Sequence, residues 1–266
     1  MQPLLKIKDI TSHIRYGKNV FKTEDDFGPI HVFDRKDKRM LTFGSIYEQS
    51  CISKSRPHVL LHQYTQAMIT VLLFTDPKKV TMLGLGGGAL AHCLLHSIPD
   101  IELKAVELRP AVIKVATDYF FLPQDKRFEV IQRDAFEYLT QKATASTQLL
   151  FSDVYLSSGM DIRQASKVFV KQCRRVLSDK GWLVCNLAAT KGVKHTFIET
   201  VLESFDTLYI ATLSTGNIIL YACTENYDLN TKALAVKASA IEAVFEFTLE
   251  PYISRLTRFS WVSATS

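Results

Sequence analysis

The sequence predicts an α/β protein: a doubly wound, mostly parallel sheet of seven strands, preceded by a small N-terminal antiparallel β domain. Three observations support this prediction. A glycine-rich turn at residues 84–88 joins a short apolar run to a helical pattern. Strand and helix patterns alternate from there to residue 223, whereas residues 1–56 contain only short alternating stretches broken by turn signals. We therefore expect a β unit at 1–56 and a second domain at 57–266.

The composition is that of an ordinary globular chain. Its 266 residues, 47% of them apolar, are enough to bury a full core. No apolar run reaches the ~20 residues that span a bilayer, and the first ten residues lack the apolar core of a signal peptide. We therefore expect a cytoplasmic protein with no membrane partner.

Charge and cysteine content limit the possible partners and the redox state of the chain. Residues 1–60 supply most of the net charge of +5 but carry it diffusely, and their densest cluster, residues 35–39, falls at an expected hairpin turn, so no nucleic-acid partner is expected. The five cysteines are an odd number without a C-x-x-C pair, which favours buried, reduced thiols.

The elements follow in order along the chain. Residues 57–74 carry apolar side chains at helical spacing and link the β unit to the rest. The strands of the large sheet are expected at 80–84, 101–107, 127–133, 147–152, 181–187, 205–211 and 217–223, and its helices at 88–97, 110–120, 135–142, 161–178 and 192–203. A four-residue turn joins the last two strands, so they should form an antiparallel pair at one edge. Residues 229–258 add a tail with helical spacing that should pack on the core.

The glycine turn is the first candidate binding feature. Gly84, Gly86 and Ala89 fit the pattern G-x-G-x-x-G/A, in which small residues let backbone N–H groups approach a nucleotide closely. Gly87 and Gly88 extend the loop to the start of the helix, whose free N–H groups suit the same ligand. Such turns also serve close packing of a helix on a sheet, and both interpretations stay open.

Three acids stand at the ends of successive strands, the edge at which open α/β sheets bind ligands. Glu107 lies where a carboxylate commonly accepts hydrogen bonds from ribose hydroxyls, although it could instead cap the helix at Pro110. Asp134 could hold an adenine or be the N-cap of the next helix, and the two roles are compatible. Asp153 lies nearest the switch point of the sheet, where a carboxylate suits a base or an amine ligand.

Two other chemistries find little support. His92 and His96 are four residues apart on one helix, but no third ligand accompanies them, so we expect no metal. No G-x-S-x-G motif exists for a nucleophilic serine.

With these residues in place, the sequence resembles the spermidine/spermine synthases, aminopropyltransferases built on the Rossmann-like class I methyltransferase fold. The resemblance covers roughly residues 15–225, from the β unit and Tyr64 through the glycine loop to the three acids. It implies that Asp153 takes a proton from an attacking amine, and that S-adenosylmethionine or its decarboxylated form is the donor. It assigns the donor to Gly84, Gly86, Gly87, Gly88, Glu107, Asp134 and Ala135, and the acceptor to Tyr64, Gln66, Tyr155 and Leu156.

The departures from the family concern the acceptor. The family carries acids at the positions of Gly87, Leu156 and Gln66, so three amine-holding carboxylates are missing, of which Asp161 could replace one. We therefore expect an aminopropyl or methyl transferase that acts on a small acceptor but is inefficient with putrescine.

The same residues allow other functions. An S-adenosylmethionine-dependent methyltransferase and a non-catalytic adenosyl-ligand binder both fit the donor site. A nicotinamide enzyme is disfavoured because it leaves Asp134 and Asp153 without a task. The short β unit has edge strands to cover, so we expect it to contribute to a homodimer interface.

Overall fold

The computed structural model describes residues 17–44, 48–156, 159–188, 195–228 and 231–260. The expected β unit is a four-stranded antiparallel sheet in the order β1-β2-β3-β4. The basic cluster at 35–39 spans the tight turn between β2 and β3, as expected, with Arg35 opposite Lys38. The homodimer expected through this unit stays a prediction. The four strands are β1 (Lys18–Asp25), β2 (Gly28–Arg35), β3 (Lys38–Thr42) and β4 (Glu48–Ser53).

The linking helix begins later than the periodicity suggests. Residues 56–59 form a turn closed by a hydrogen bond from the Val59 N–H to the Arg56 carbonyl oxygen (3.0 Å), and His62 is extended. Helix α1 (Gln63–Ile69) follows and tightens into a 3₁₀ turn at Thr70–Leu73. Apart from its partly exposed N-terminal residues, this segment is buried and packs against the large sheet.

The large sheet is mostly parallel, as expected, but it has eight strands where we predicted seven. Its order is β14-β12-β13-β11-β8-β5-β6-β7, and β12, β13 and β14 form its antiparallel part. The extra strand β14 comes from the end of the tail, where three exposed residues pair with β12 along an edge that the helical spacing did not reveal. The strands are β5 (Lys79–Leu83), β6 (Glu102–Glu107), β7 (Phe128–Gln132), β8 (Thr147–Ser152), β11 (Leu177–Ala188), β12 (Thr207–Thr212), β13 (Asn217–Cys223) and β14 (Thr257–Phe259).

Between β8 and β11 lies a small hairpin that the sequence did not indicate, β9 (Tyr155–Leu156) with β10 (Gly159–Met160). The helix expected at 161–178 is instead a 3₁₀ turn at Ile162–Ala165 followed by a helix from Lys167, because Ser166 caps the helix by accepting a hydrogen bond from the Phe169 N–H.

Helices cover both faces of the large sheet. Alternate residues of each strand enter different cores: Leu149 and Phe151 of β8 face one, and Leu150 faces the other. All five cysteines are buried free thiols, as expected. No helix in the described residues is long and apolar enough to cross a membrane. The helices are α2 (Ala89–Ser97), α3 (Pro110–Tyr119), α4 (Ala135–Gln141), α5 (Lys167–Val176), α6 (His195–Leu202), α7 (Thr231–Phe245) and α8 (Glu250–Ile253).

The order of the strands creates a switch point beside β5. The chain runs outward from β5 to β6 and β7, then crosses back to place β8 on the other side of β5. The loops that leave β5 and β8 therefore diverge at their carboxyl ends, where doubly wound sheets open a crevice.

Arg109 joins the β unit to this edge of the large sheet. Its side chain is 2% exposed, and its guanidinium donates to the Asp25 carboxylate (2.7 and 3.1 Å) and the Gly28 carbonyl oxygen (2.7 Å). The guanidinium also stacks over the Phe43 ring at 4.5 Å. Because removing one partner would leave a buried charge uncompensated, this ion pair couples the stability of the small sheet to that of the large sheet.

We expect the Arg109–Asp25 pair to show strong energetic coupling. In a double-mutant cycle with Arg109→Met and Asp25→Asn, the coupling in the free energy of unfolding should be about 1–3 kcal/mol. The exposed pair Lys114–Asp118 is a matched control, for which solvent screening should leave little coupling. Equal coupling in the two cycles would contradict a structural role for Arg109.

Candidate active site

A cavity of about 750 Å³ opens at the switch point. The carboxyl ends of β5, β6, β8 and β11 form its floor, and β4 and the start of α1 close it from the side of the β unit. Of the residues predicted from the sequence to form the site, it is lined by Tyr64, Gly84, Gly86, Glu107, Asp134, Ala135, Asp153, Tyr155 and Leu156.

The glycine loop forms the floor of the cavity next to β5. Gly84 has a φ of +95°, and a Cβ there would lie 2.3 Å from the carbonyl oxygen of Asp153, so no other residue fits. Gly86 lines the cavity, whereas Gly87 and Gly88 lie outside its lining. A Cβ on Gly87 would meet the Phe120 ring at 2.7 Å, which explains why this loop carries no side chain there.

Glu107 ties the loop to the end of β6. Its carboxylate accepts hydrogen bonds from the backbone N–H groups of Leu85 (3.1 Å) and Arg109 (3.0 Å), the latter being the N-cap of α3. Burial raises the pKa of Glu107, and these N–H groups oppose the shift. Glu107 thus accepts from the N–H of the N-cap residue but does not cap the N–H groups of the helix itself, and its carboxylate lies at the cavity wall with further lone pairs for a ligand.

Asp134 has the N-cap role that its position suggested. One of its carboxylate oxygens accepts from the N–H groups of Phe136 (2.8 Å) and Glu137 (3.1 Å), and the other accepts from Arg163 (3.0 Å). The Arg163 guanidinium lies over the Phe136 ring at 4.0 Å. Asp134, Ala135 and Arg163 line the end of the cavity beside β7, and Phe136 lies behind the Arg163 guanidinium, outside the lining.

Asp153 follows β8, and its carboxylate lies in the cavity wall, partly buried. It accepts a hydrogen bond from the Asn186 side chain (2.8 Å). The nearby Tyr64 hydroxyl donates to the Gln49 carbonyl oxygen (3.2 Å). Desolvation raises the pKa of Asp153 to about 6, against the hydrogen bond from Asn186, which lowers it. A carboxylate with this pKa can both accept and release a proton near neutral pH.

Side chains that the sequence did not single out hold Asp153 in place. Asn217 donates to the Asn186 side-chain oxygen (2.9 Å), which leaves the Asn186 amide group directed at Asp153. Gln164 is fully buried and bridges the end of β8, accepting from the Ser152 hydroxyl (2.5 Å) and donating to the Val154 carbonyl oxygen (2.8 Å). A single asparagine or glutamine belongs to no sequence pattern that would predict such a role.

Two predicted acceptor residues lie elsewhere. Gln66 does not line the cavity, because its side chain donates to the Leu60 carbonyl oxygen (2.7 Å) and accepts from the Tyr252 hydroxyl (2.5 Å). Asp161 cannot replace a missing acid, since it is 4% exposed and paired with Arg163 (2.7 Å). Tyr155 and Leu156 do line the cavity, and the Tyr155 hydroxyl is buried without a hydrogen-bond partner among the described residues.

The cavity contains a carboxylate that sequence reasoning missed. Glu48, at the start of β4, pairs with His62 (3.1 Å between Oε2 and Nε2), and both residues line the cavity on the side of the β unit. His92 and His96 are not a chelating pair: the His92 ring bonds the Phe120 carbonyl oxygen (2.8 Å), and the His96 ring stacks on His58.

Fold and site define the class of this protein: a group transferase of the methyltransferase-like α/β fold. No protein-family model matches the chain. Curated relatives do match it. A polyamine aminopropyltransferase from Chromobacterium violaceum is 30% identical over 85% of this chain and 88% of its own length. Another polyamine aminopropyltransferase, from Neisseria meningitidis, is 32% identical over 74% of this chain and 76% of its own length. The chain belongs to the polyamine aminopropyltransferase family.

Methyltransferases are also similar to part of the chain. An eEF1A lysine and N-terminal methyltransferase homolog from Drosophila melanogaster is 31% identical over 41% of this chain and 16% of its own length.

Solved structures agree on the fold. A probable spermidine synthase from Corynebacterium glutamicum has a TM-score of 0.72 at 18% identity, covering 92% of this chain and 98% of its own. Human methyltransferase-like protein 13, in complex with SAH, has a TM-score of 0.63 at 22% identity, covering 77% and 97%.

Replacing Gly84 tests the close approach of the glycine loop to Asp153. Gly84→Ala should lower the free energy of unfolding by the ~1–2 kcal/mol of a left-handed backbone, plus at least about 1 kcal/mol for the contact with the Asp153 carbonyl. The control is Gly216→Ala, which has a φ of +87° but no atom within 4 Å of an added Cβ. Equal losses in denaturant unfolding of the two variants would contradict the contact.

Proposed function

We propose that this protein transfers a group from S-adenosylmethionine, or from its decarboxylated form, to the nitrogen of a small monoamine, with Asp153 as the general base. The position of Asp153 supports this most strongly: its backbone lies directly against the glycine loop, and its carboxylate, of raised pKa, lies in the wall of the cavity at the switch point. Curated relatives named aminopropyltransferase and methyltransferase support a common adenosyl donor.

The transfer step places specific demands on the site. The lone pair of the neutral amine attacks a carbon bound to the sulfonium, the C–S bond breaks, and its electron pair stays on sulfur as a neutral thioether. The nitrogen then carries a positive charge and loses a proton. Asp153 accepts that proton, while the Asn186 amide donates to its carboxylate and fixes its orientation.

The donor half of the cavity suits an adenosyl group. Glu107 keeps lone pairs toward the cavity for ribose hydroxyls, while backbone N–H groups fix its orientation. The wall formed by Asp134, Ala135 and Arg163 offers a flat surface and a polar edge for adenine. A human neighbour of the same fold has been solved with SAH, and a spermidine synthase with the analogue AdoDATO, which supports the same use of this cavity.

Glu107→Ala should remove most of the affinity for S-adenosylmethionine and methylthioadenosine. Loss of a charged acceptor leaves ribose hydroxyls unpaired, at about 1.5–3 kcal/mol for each hydrogen bond to the charge. Glu102→Ala, at the exposed start of the same strand, is the control and should bind as the unchanged protein does. Titration calorimetry that finds unchanged affinity in folded Glu107→Ala would reject this role.

The acceptor half favours a monoamine over a diamine. Asp153 can hold one ammonium or amine, but the far end of a diamine would lie against Leu156 and the glycine loop, which carry no charge. Glu48 is the other carboxylate on this side, and it is already paired with His62. Losing two charge-assisted hydrogen bonds weakens diamine binding by roughly 10²- to 10⁴-fold.

The direct assay quantifies the thioether released from each donor with putrescine and with a panel of monoamines. We expect turnover with a monoamine, little with putrescine, and a loss of at least ~100-fold in Asp153→Asn, with exposed Asp118→Asn as the control. Because the carboxylate is the active form, protonation of Asp153 should add about a tenfold fall in kcat/KM per pH unit below pH 6 to the fall that protonation of the amine itself causes.

Two results would overturn this proposal. Spermidine formation as efficient as monoamine turnover would contradict the acceptor assignment, and full activity in Asp153→Asn would contradict the assignment of the base.

Methyl transfer is the second candidate, favoured by one observation. Gly87 lies where the aminopropyltransferases that this chain resembles carry an aspartate, and the space around it is filled by Phe120 and Ser50. A loop without that carboxylate also accommodates a donor that keeps its own carboxylate. Comparison of the two donors in the same assay decides between methyl and aminopropyl transfer.

A further inference from the structure

A group of three mixed ligands lies in the wall of the cavity on the side of the β unit. Glu48 and Cys51 are on β4, and His62 immediately precedes α1. Their carboxylate oxygen, sulfur and ring nitrogen all lie within 4.8 Å of one another. Within the described residues, no other histidine, cysteine and carboxylate side chains group in this way.

A β-bulge accounts for this arrangement. In a regular strand, residues three apart point to opposite faces. The pairing of β4 with β3 shifts register here, since Leu41 pairs with Ser50 but Thr42 pairs with Glu48. The extra residue, Gln49, brings Glu48 to the same side of the strand as Cys51.

The three atoms match the donor set of zinc. Imidazole nitrogen, thiolate sulfur and carboxylate oxygen are its usual protein ligands, and bond lengths of 2.0–2.3 Å place tetrahedral ligands about 3.5 Å apart. The Glu48 and His62 ligand atoms are already 3.1 Å apart. The Cys51 sulfur lies within 4.8 Å of both, so zinc binding requires it to approach by about 1 Å.

The exposure of the three side chains shows which side of the group faces the cavity. Cys51 is 4% exposed and packs with Phe33 and Met40 behind the wall. Glu48 and His62 are 34% and 19% exposed and line the cavity, which Cys51 does not. An ion bound to all three therefore has the cavity, and not the core, in front of its fourth position.

We propose that Glu48, Cys51 and His62 bind a Zn²⁺ ion whose fourth coordination position opens into the cavity. This differs from the metal-free site that the sequence led us to expect. The metal site is argued from these three residues and uses neither Asp153 nor Glu107; as a zinc ligand, Glu48 stays unavailable to a diamine, as the proposed function requires. The ion fastens the β unit to the start of α1 and presents an exchangeable position to ligands that carry nitrogen, oxygen or sulfur donors.

A second histidine cluster is an alternative place for a metal, and the experiment must distinguish it from this site. His58 and His96 stack with ring centroids 3.9 Å apart, and they line a small surface cavity with His92 and Asp125. The His92 ring nitrogen is already bonded to the Phe120 carbonyl oxygen.

The experiment titrates the full chain, freed of metal by a chelator, with Co²⁺ and then displaces it with Zn²⁺. We expect one equivalent of Co²⁺ with tetrahedral d–d bands and a thiolate-to-cobalt charge-transfer band. Cys51→Ser should abolish the charge-transfer band and weaken Zn²⁺ binding more than about 100-fold, since even outer-shell partners of zinc ligands are worth 10- to 100-fold. His62→Gln should also weaken binding, whereas Cys223→Ser and the double change His58→Gln, His96→Gln should not.

Three results would overturn the site: no binding at micromolar metal, binding unchanged in Cys51→Ser, or binding lost in the His58 and His96 variant. If Cys51→Ser does not fold, X-ray absorption of the zinc-loaded natural chain decides, because a first shell without sulfur excludes Cys51. Metal binding is measured without turnover, so its failure leaves the proposed transfer unaffected.

Discussion

The close approach of Gly84 to the Asp153 carbonyl is the constraint on which the site depends. The two residues end neighbouring strands, β5 and β8, and the contact exists because Gly84 has no side chain and a positive φ. It places the donor loop and the proposed base within one cavity. The buried amide of Gln164 fixes the end of β8 from the opposite side, so the position of Asp153 is determined by backbone contacts and a buried side chain together.

Around this fixed centre, the two halves of the cavity are built differently. The proposed donor half consists of strand ends and helix N-termini of the large sheet, with Glu107 and Asp134 both held by backbone N–H groups. The proposed acceptor half is assembled from elements far apart in sequence: β4, α1, the β9–β10 hairpin and the turn before β13. Such a surface can change its charges without disturbing the fold, and this fits the expectation from the sequence that the family's amine-holding acids are replaced here by uncharged residues.

The sequence predicted the features that depend on local pattern. The glycine turn, the alternation of strands and helices, and the acids at strand ends all follow from the periodicity and spacing of neighbouring residues, and the structure has them at the expected places. What it could not predict depends on long-range contacts. Gln66 is drawn away from the cavity by Tyr252, and Glu48 enters it only because of a bulge in β4. Strand β14 likewise exists because an edge of β12 is available to it.

We propose that one cavity holds the donor against Glu107 and brings its sulfur to Asp153. A crystal structure of the protein with methylthioadenosine and a monoamine tests this most directly. The account predicts ribose hydroxyls within hydrogen-bond distance of Glu107, adenine beside Asp134, and the amine nitrogen between the sulfur and the Asp153 carboxylate. A nucleoside bound elsewhere, or one whose sulfur points away from Asp153, would contradict it.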